Sequence, residues 1–379
     1  MPVDSFAVFL RGHDVSFSPA EIERELSSMW KPVSEKVDTG EESGSVSRVV
    51  LGSLIWAGPE HAIERVRNTI AKLVPKYPCR LFLLEFRENQ EGGGIQAAVN
   101  AQCFRPQPGG QPVCCEVISL TFGPEGARHV RGCVTPLLIG DLQTVLWDNF
   151  GEARPEGAES LDGEAERIIH QAARWKHPAR GLERSLHSAV PAFDLAWFRL
   201  TPVREQVTAF FDDPHASFSL EGIRRVRVQT LGNVSDSALP EVMGALFVGW
   251  LGTRLGWEVA TPHRSGFRYR SGDGHVLIEF DTIPAKGRDF LTQLGRIEME
   301  HQSGERFHLT LNQEGGGMDL WLGEGHEGPP QRRLILSELG EADALGLALN
   351  TPWSAEPFRG AARLAVPLLE YYHPDAEAP

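Results

Sequence analysis

The sequence predicts a two-domain protein of mixed class. An N-terminal α/β layered domain is followed by a C-terminal α+β domain with an antiparallel meander sheet. Three observations carry this reading. The chain has 379 residues, too many for one ordinary hydrophobic core. In the first half, short apolar runs alternate with amphipathic helical stretches, the pattern of a layered α/β domain. In the second half, alternating strands follow one another across Gly-containing turns, with helices before and after. The boundaries drawn from these changes are an N-terminal helical arm and linker over 1–46, the α/β domain over 47–190, the α+β domain over 191–372, and a flexible tail over 373–379.

The arm is "SPAEIERELSSMW". Ser18 can cap it, Pro19 suits the first helical position, and Ile22, Leu26 and Met29 fall on one side. The polar stretch Lys31 to Ser47 reads as a linker. The α/β domain opens with the strand-like run "VSRVVLGSLIWA". A helix follows, with Ala62, Ile63, Val66, Ile70 and Leu73 on one face and Pro75 and Pro78 at its end. "CRLFLLEF" is a buried strand, so strand, helix and strand form a parallel crossover. "GGGIQAAVNAQCF" and "PVCCEVISLTF" add two strands. "PEGARHVRGCVTPLLIG" reads as a helix interrupted by Pro136, and "DLQTVLWDNF" as the last strand. "ESLDGEAERIIHQAARW" reads as an amphipathic helix with Ile168, Ile169 and Ala172 inward.

Thr201 before Pro202 marks a helix start, with Val203, Val207, Phe210 and Phe211 on its apolar face. "IRRVRVQTLG" is a strand with Arg outward, and "ALPEVMGALFVGWLGTRLGW" is apolar nearly all round, a buried helix. Hairpin signals then recur at Ser-Gly-Asp-Gly, at Ser-Gly and at a glycine cluster. The polar face of this meander should carry Arg268, Arg270, Glu279, Glu298, Glu300, His308 and Trp321, as cross-strand charge pairs or as a contact surface. "SELGEADALGLALN" and "SAEPFRGAARLAVPLLEYY" are closing helices.

Lys plus Arg number 37 and Asp plus Glu 51, for a net charge of −14. Long-range repulsion then argues against nucleic acid as a partner. No apolar run approaches the ~20 residues of a membrane span. The start "MPVDSFAVFLRGHD" lacks a basic lead and does not read as a signal peptide, so a cytoplasmic location is the expectation. The five cysteines, Cys79, Cys103, Cys114, Cys115 and Cys133, are odd in number and contain no CxxC. They read as mostly buried thiols rather than a disulfide framework. Cys114 and Cys115 are adjacent in a strand and point to opposite faces, one to the core and the other open as a redox handle.

No motif points to catalysis. Gly323, Gly325 and Gly328 form a literal G-x-G-x-x-G, but Pro329 and Pro330 stand where a phosphate-binding helix should begin. There is no P-loop, no nucleophile elbow and no H-E-x-x-H. His129 and Cys133 share a helical spacing, yet two ligands do not make a zinc site. Glu338, Glu341 and Asp343 are a helix-start acidic cluster favoured by the dipole. The expectation is no catalytic site, no cofactor and no metal.

Three segments carry a resemblance when taken in order: "PKYPCRLFLLEF", "VTPLLIGDLQTVLWDNF" and "DLAWFRLTPVREQVTAFFDDP". Together they resemble the glucose-6-phosphate dehydrogenase assembly proteins, called OpcA. The matching positions are Pro78, Cys79 and Arg80; then Pro136, Leu137, Leu138 and Trp147; then Asp194, Leu195, Trp197, Arg199, Leu200 and Arg204. The likeness is good over roughly 47–257 and looser beyond. The chain departs from the pattern at Asp148 and Val203, which bears on detailed contacts more than on role. The resemblance implies a non-catalytic partner of glucose-6-phosphate dehydrogenase, promoting its assembly and its allosteric activation in the oxidative pentose phosphate pathway. Thiol regulation, proposed for some members, falls on no particular cysteine here.

Arg80, Trp147, Asp194, Trp197, Arg199 and Arg204 are the candidates for the partner contact or its scaffold. For Arg199 and Arg204 the competing reading is a buried ion pair with Asp194 or Glu205. The competing function is an enzyme or sensor that binds a sugar phosphate or nucleotide, with Arg80 or Arg199 at the phosphate.

Overall fold

The structure is a computed structural model that describes residues 8–15, 18–38, 47–88, 94–104, 113–212, 219–232, 239–260, 266–272, 274–284, 294–312, 317–322, 332–335, 339–350 and 354–372. These form two compact units, the first chiefly of residues up to His170 and the second chiefly of those from Gln171 on. Each is built on a mixed sheet, so the α/β and α+β classes hold.

The first unit runs β1 (Val8–Val15), α1 (Pro19–Asp38), β2 (Ser47–Arg48), β3 (Ser53–Pro59), α2 (Ile63–Leu73), β4 (Arg80–Phe86), β5 (Ile95–Phe104), β6 (Val113–Phe122), α3 (Val130–Val134), β7 (Thr144–Asp148) and β8 (Arg167–His170). Its strands lie in the order β1-β5-β6-β4-β3-β7-β8, with β2 on β6. The strands from β6 to β8 are mutually parallel, and β5 and β1 are antiparallel at the edge. The β3-α2-β4 crossover is as expected, because α2 buries Val66, Ile70 and Leu73 while β4 is buried on both faces.

Three local readings change. The run from Val46 is broken: β2 and β3 are separate strands, and a Cβ on Gly52 would lie 2.8 Å from the Gln143 carbonyl. The N-terminal helix continues to Asp38, through residues read as linker, and β1 precedes it on the edge of the sheet. The segment read as an amphipathic helix over 159–175 is instead a 3₁₀ helix (Ala158–Glu164), strand β8 and a 3₁₀ turn (Ala172–Arg174). β7 is therefore not the last strand. All four residues of β8, Arg167 and His170 included, are buried, and so short a run buried on both faces has no period that separates strand from helix.

The second unit contains α4 (Pro178–His187), β9 (Ala192–Asp194), α5 (Leu195–Arg199), α6 (Thr201–Phe211), β10 (Ile223–Gly232), α7 (Leu239–Arg254), β11 (Glu258–Val259), β12 (Phe267–Ser271), β13 (Gly274–Pro284), β14 (Leu294–His301), β15 (Arg306–Asn312), β16 (Gly317–Leu322), β17 (Arg332–Ile335), α8 (Glu341–Asn350) and α9 (Glu356–Tyr372). Its large sheet has the order β11-β12-β13-β10-β14-β15-β16-β17. The expected hairpins β12–β13, β14–β15 and β15–β16 are present. The sheet is not a pure meander, however. β10 inserts between β13 and β14, parallel to the first and antiparallel to the second.

One sheet face is apolar, with Val226, Val228, Phe267, Tyr269, Ile278, Ile297, Met299, Phe307 and Leu309 buried. Helices cover it. Gly244 of α7 sits against Val228 and Phe280, Tyr269 donates to the Leu364 carbonyl of α9 at 2.6 Å, and Phe210 and Phe211 of α6 pack on Phe307. α7 is buried without a break from Val242 to Leu251, and its Gly249 meets the Ala361 backbone of α9. The G-x-G-x-x-G at Gly323 to Gly328 and the tail over 373–379 lie outside the described residues.

Candidate functional site

The signature from Asp194 to Arg204 is a helix–helix corner. Asp194 ends β9 in extended conformation and caps α5. One carboxylate oxygen accepts the Ala196 N–H at 2.8 Å, and the other accepts the Ala172 N–H at 2.6 Å. Asp194 thus ties the 3₁₀ turn at 172–174 to the head of α5, and it is 1% exposed. A carboxylate is the residue for this place because it can accept from two orphan amides at once. α6 then begins at Thr201, with Pro202 in its first turn as expected.

Trp197 is buried edge-on against Phe358, and Phe193 links Phe198 to the same ring. The Arg204 guanidinium lies over the Trp197 ring at 3.4 Å and donates to the Trp197 carbonyl and the Thr201 hydroxyl. Burial pulls the Arg204 pKa down to about 10, with Glu205 opposing and Arg254 adding to the effect. Arg204 is therefore a stacking and hydrogen-bonding residue of the corner.

Arg199 is different. It ends α5 and lines a cavity of about 50 Å³ with Gln171, Arg174, Asp194, Leu195 and Glu341. Glu341 is held from the other side, by the Gln171 amide at 3.0 Å and Arg174 at 3.5 Å. Burial lowers the Arg199 pKa from the ordinary guanidinium value; Glu341 opposes this, Arg174 reinforces it, and Asp194 and Asp343 oppose it.

The two remaining candidates lie in the first unit. Arg80, at the amino end of β4, is 4% exposed. It donates to Glu116 of β6 at 2.8 Å, to Glu23 of α1 at 2.6 Å and to the Leu137 carbonyl at 2.6 Å. Glu116 is fully buried. Trp147, on β7, is fully buried and stands in register with Trp56 of β3. Next to it is a cluster that sequence reasoning missed. Asp148 faces His170 of β8 and Arg154, each at 3.5 Å. Burial alone would raise the Asp148 pKa. The hydrogen bond and charge of His170, the charge of Arg154 and the Phe150 N–H outweigh it and hold the carboxyl at about 2. A single Asp in an apolar strand gives no sign of partners 6 and 22 residues on, so only the fold reveals this cluster.

Two of the five cysteines are not thiols. Cys103 and Cys114 stand opposite each other on β5 and β6, with Cα atoms 4.0 Å apart, and form a disulfide. Cys79, Cys115 and Cys133 are buried thiols. Burial raises all three, to about 11 for Cys115 and Cys133 and further for Cys79. Among the described residues, no group of three or more His, Cys, Asp or Glu could hold a metal ion.

The polar face of the second sheet is a ladder of charges. Glu279 pairs with Arg225 and Arg227, Glu300 with Arg224 and Arg225, and Glu298 with Arg296 and His308. All but Arg296–Glu298, which lie on one strand, are cross-strand pairs as expected, but Glu300 and His308 are buried at 8% and 3% exposure, so part of this face is not solvated. The Trp321 side chain lies outside the described residues, although its backbone pairs with His308. No helix of the described residues is long and apolar enough to cross a membrane.

Comparison with known proteins agrees along the chain. Residues 71–186 match the family described as the glucose-6-phosphate dehydrogenase subunit N-terminal domain, and residues 190–362 the one described as its C-terminal domain. A protein of Nostoc punctiforme named "Putative OxPP cycle protein OpcA" is 28% identical over 226 residues, 57% of this chain and 46% of its own length. A protein of Synechococcus elongatus with the same name is 23% identical over 223 residues, 55% of this chain and 48% of its own. The chain thus spans about half the length of these curated relatives. Matched by both domains in succession over most of its length, it belongs to the OpcA family of glucose-6-phosphate dehydrogenase assembly proteins.

Proposed function

We propose that the chain is a non-catalytic partner of glucose-6-phosphate dehydrogenase that promotes its assembly and raises its activity allosterically. The observation that carries this reading is the ordered match of both family domains. Activation requires the chain to bind the active state of the enzyme more tightly than the inactive one, since equal binding shifts no equilibrium. In this role Arg80, Trp147, Asp194, Trp197 and Arg204 serve as scaffold and Arg199 as a contact. What supports the division is that the first five are engaged inside their own unit, as described above.

The test mixes the purified chain with its cognate dehydrogenase. A complex on a sizing column, together with a changed affinity for glucose 6-phosphate, is the expected result. No complex and unchanged kinetics would remove the proposal, as would turnover of a metabolite by the chain alone.

A further inference from the structure

Asp194, Trp197 and Arg204 are each closed onto an internal partner, and Arg199 is not. Among the described residues, no acceptor lies within hydrogen-bond or ion-pair reach of its guanidinium. The two carboxylates in the same cavity wall are turned to other donors. Asp194 accepts two backbone amides. Glu341 accepts from Gln171 and Arg174, in the first turn of α8 where the helix dipole favours it. The direction of the Arg199 shift agrees with this geometry, because burial outweighs the surrounding carboxylates. A partly buried cation without a hydrogen-bonded anion is costly in the free protein. It is a fitting arrangement if the anion arrives from outside.

The cavity limits what that anion can be. At about 50 Å³ it holds a few waters, enough room for a carboxylate. Its walls hold two cations, Arg174 and Arg199, against two carboxylates, Asp194 and Glu341. A phosphate dianion would meet both carboxylates at short range, whereas a planar monoanion can face the guanidinium fork with one charge to place.

We propose that this cavity receives one acidic side chain, an Asp or Glu of the docked partner, which pairs with Arg199 and faces Arg174 across the cavity. The inference rests on the docking reading above and names its anchor.

The test measures affinity of the full chain for its cognate dehydrogenase by surface plasmon resonance, with melting temperature followed in parallel. The variants are Arg199→Gln, Arg199→Lys and Arg174→Gln, with Arg333→Gln on the far sheet edge as control. Truncating one partner of a desolvated charge pair weakens binding by at least about 30-fold. Arg199→Gln should show that loss with a melting temperature equal to or above wild type, since it removes a cation that is costly in the free protein. Arg199→Lys should recover part of it, since a point charge replaces a fork. Arg174→Gln should lose less, and the control should stay within about twofold. If Arg199→Gln fails to fold, the Arg199→Lys and Arg174→Gln pair decides, and wild-type affinity in both overturns the proposal. Wild-type complex with equal affinity for Arg199→Gln overturns the anchor and leaves docking standing. Absence of any wild-type complex overturns both.

Discussion

Replacing Asp194 with alanine isolates the largest structural demand in the signature. The carboxylate accepts two amides, Ala196 N–H at 2.8 Å and Ala172 N–H at 2.6 Å, in a site that is 1% exposed. Water cannot replace either acceptor without opening the corner. Each stranded N–H costs about 1–3 kcal/mol, and the loss of a helix cap, typically about 1 kcal/mol, is contained in the first. A total of about 2–6 kcal/mol follows for the two amides. For a unit of roughly 150–250 residues, each kcal/mol moves the melting temperature by about 2–4 °C, so Asp194→Ala should melt about 4–24 °C lower. Asp194→Asn keeps one neutral acceptor and should lose about half as much. The assay is thermal and urea unfolding followed by tryptophan fluorescence, which Trp197 reports from inside the corner. An Asp194→Ala melting point within about 2 °C of wild type would refute the reasoning, as would Asp194→Asn falling below Asp194→Ala.

Three other perturbations test the fold. Arg80→Leu strips the buried Glu116 of its cation and should cost about 3–5 kcal/mol, and Arg80→Leu combined with Glu116→Leu should recover most of that in urea midpoints. Asp148 has its folded pKa depressed to about 2, so it contributes stability that is present above its unfolded pKa and lost as pH falls through about 2. The difference is about 2 kcal/mol, and Asp148→Asn should flatten the acid limb of the stability profile between about pH 4 and 2. Gly249→Ala would place a Cβ 2.1 Å from the Ala361 carbonyl and should cost at least about 1–3 kcal/mol by forcing α7 and α9 apart, whereas Gly132→Ala in α3 meets nothing within 4 Å and should be neutral or slightly stabilising in the same melt.

Much of the site's identity was visible in one dimension, and much of its chemistry was not. The corner at Thr201 and Pro202 was legible because a proline at a helix start is a local signal. Asp194 was legible as a signature residue but not as a cap, because α5 is only five residues long and shows no helical period. Arg204 invited an ion-pair reading from its neighbour Glu205. Adjacent residues on a helix do not face each other, and the aromatic ring seven residues back does. The cavity at Arg199 could not be read at all, since its other cation, Arg174, comes from the end of a segment read as a helix and found to be a 3₁₀ turn.

Local periodicity and turn chemistry were enough to specify α2, the buried α7, and the hairpins β12–β13 and β14–β16, because each depends on burying one face of a contiguous stretch. Pairing between distant stretches was settled by assembly. β10 lies parallel to β13, 52 residues on from Arg227 to its partner Glu279, and it displaces the simple meander. β8 becomes a strand because a sheet edge is available to complete its hydrogen bonds, not because its sequence excludes a helix. Arg80 finds Glu116 at a separation of 36 residues, and Gln171 finds Glu341 at 170. Residues that far apart leave no mutual trace in a local pattern; the free energy of closing the sheet and covering it selects their partners.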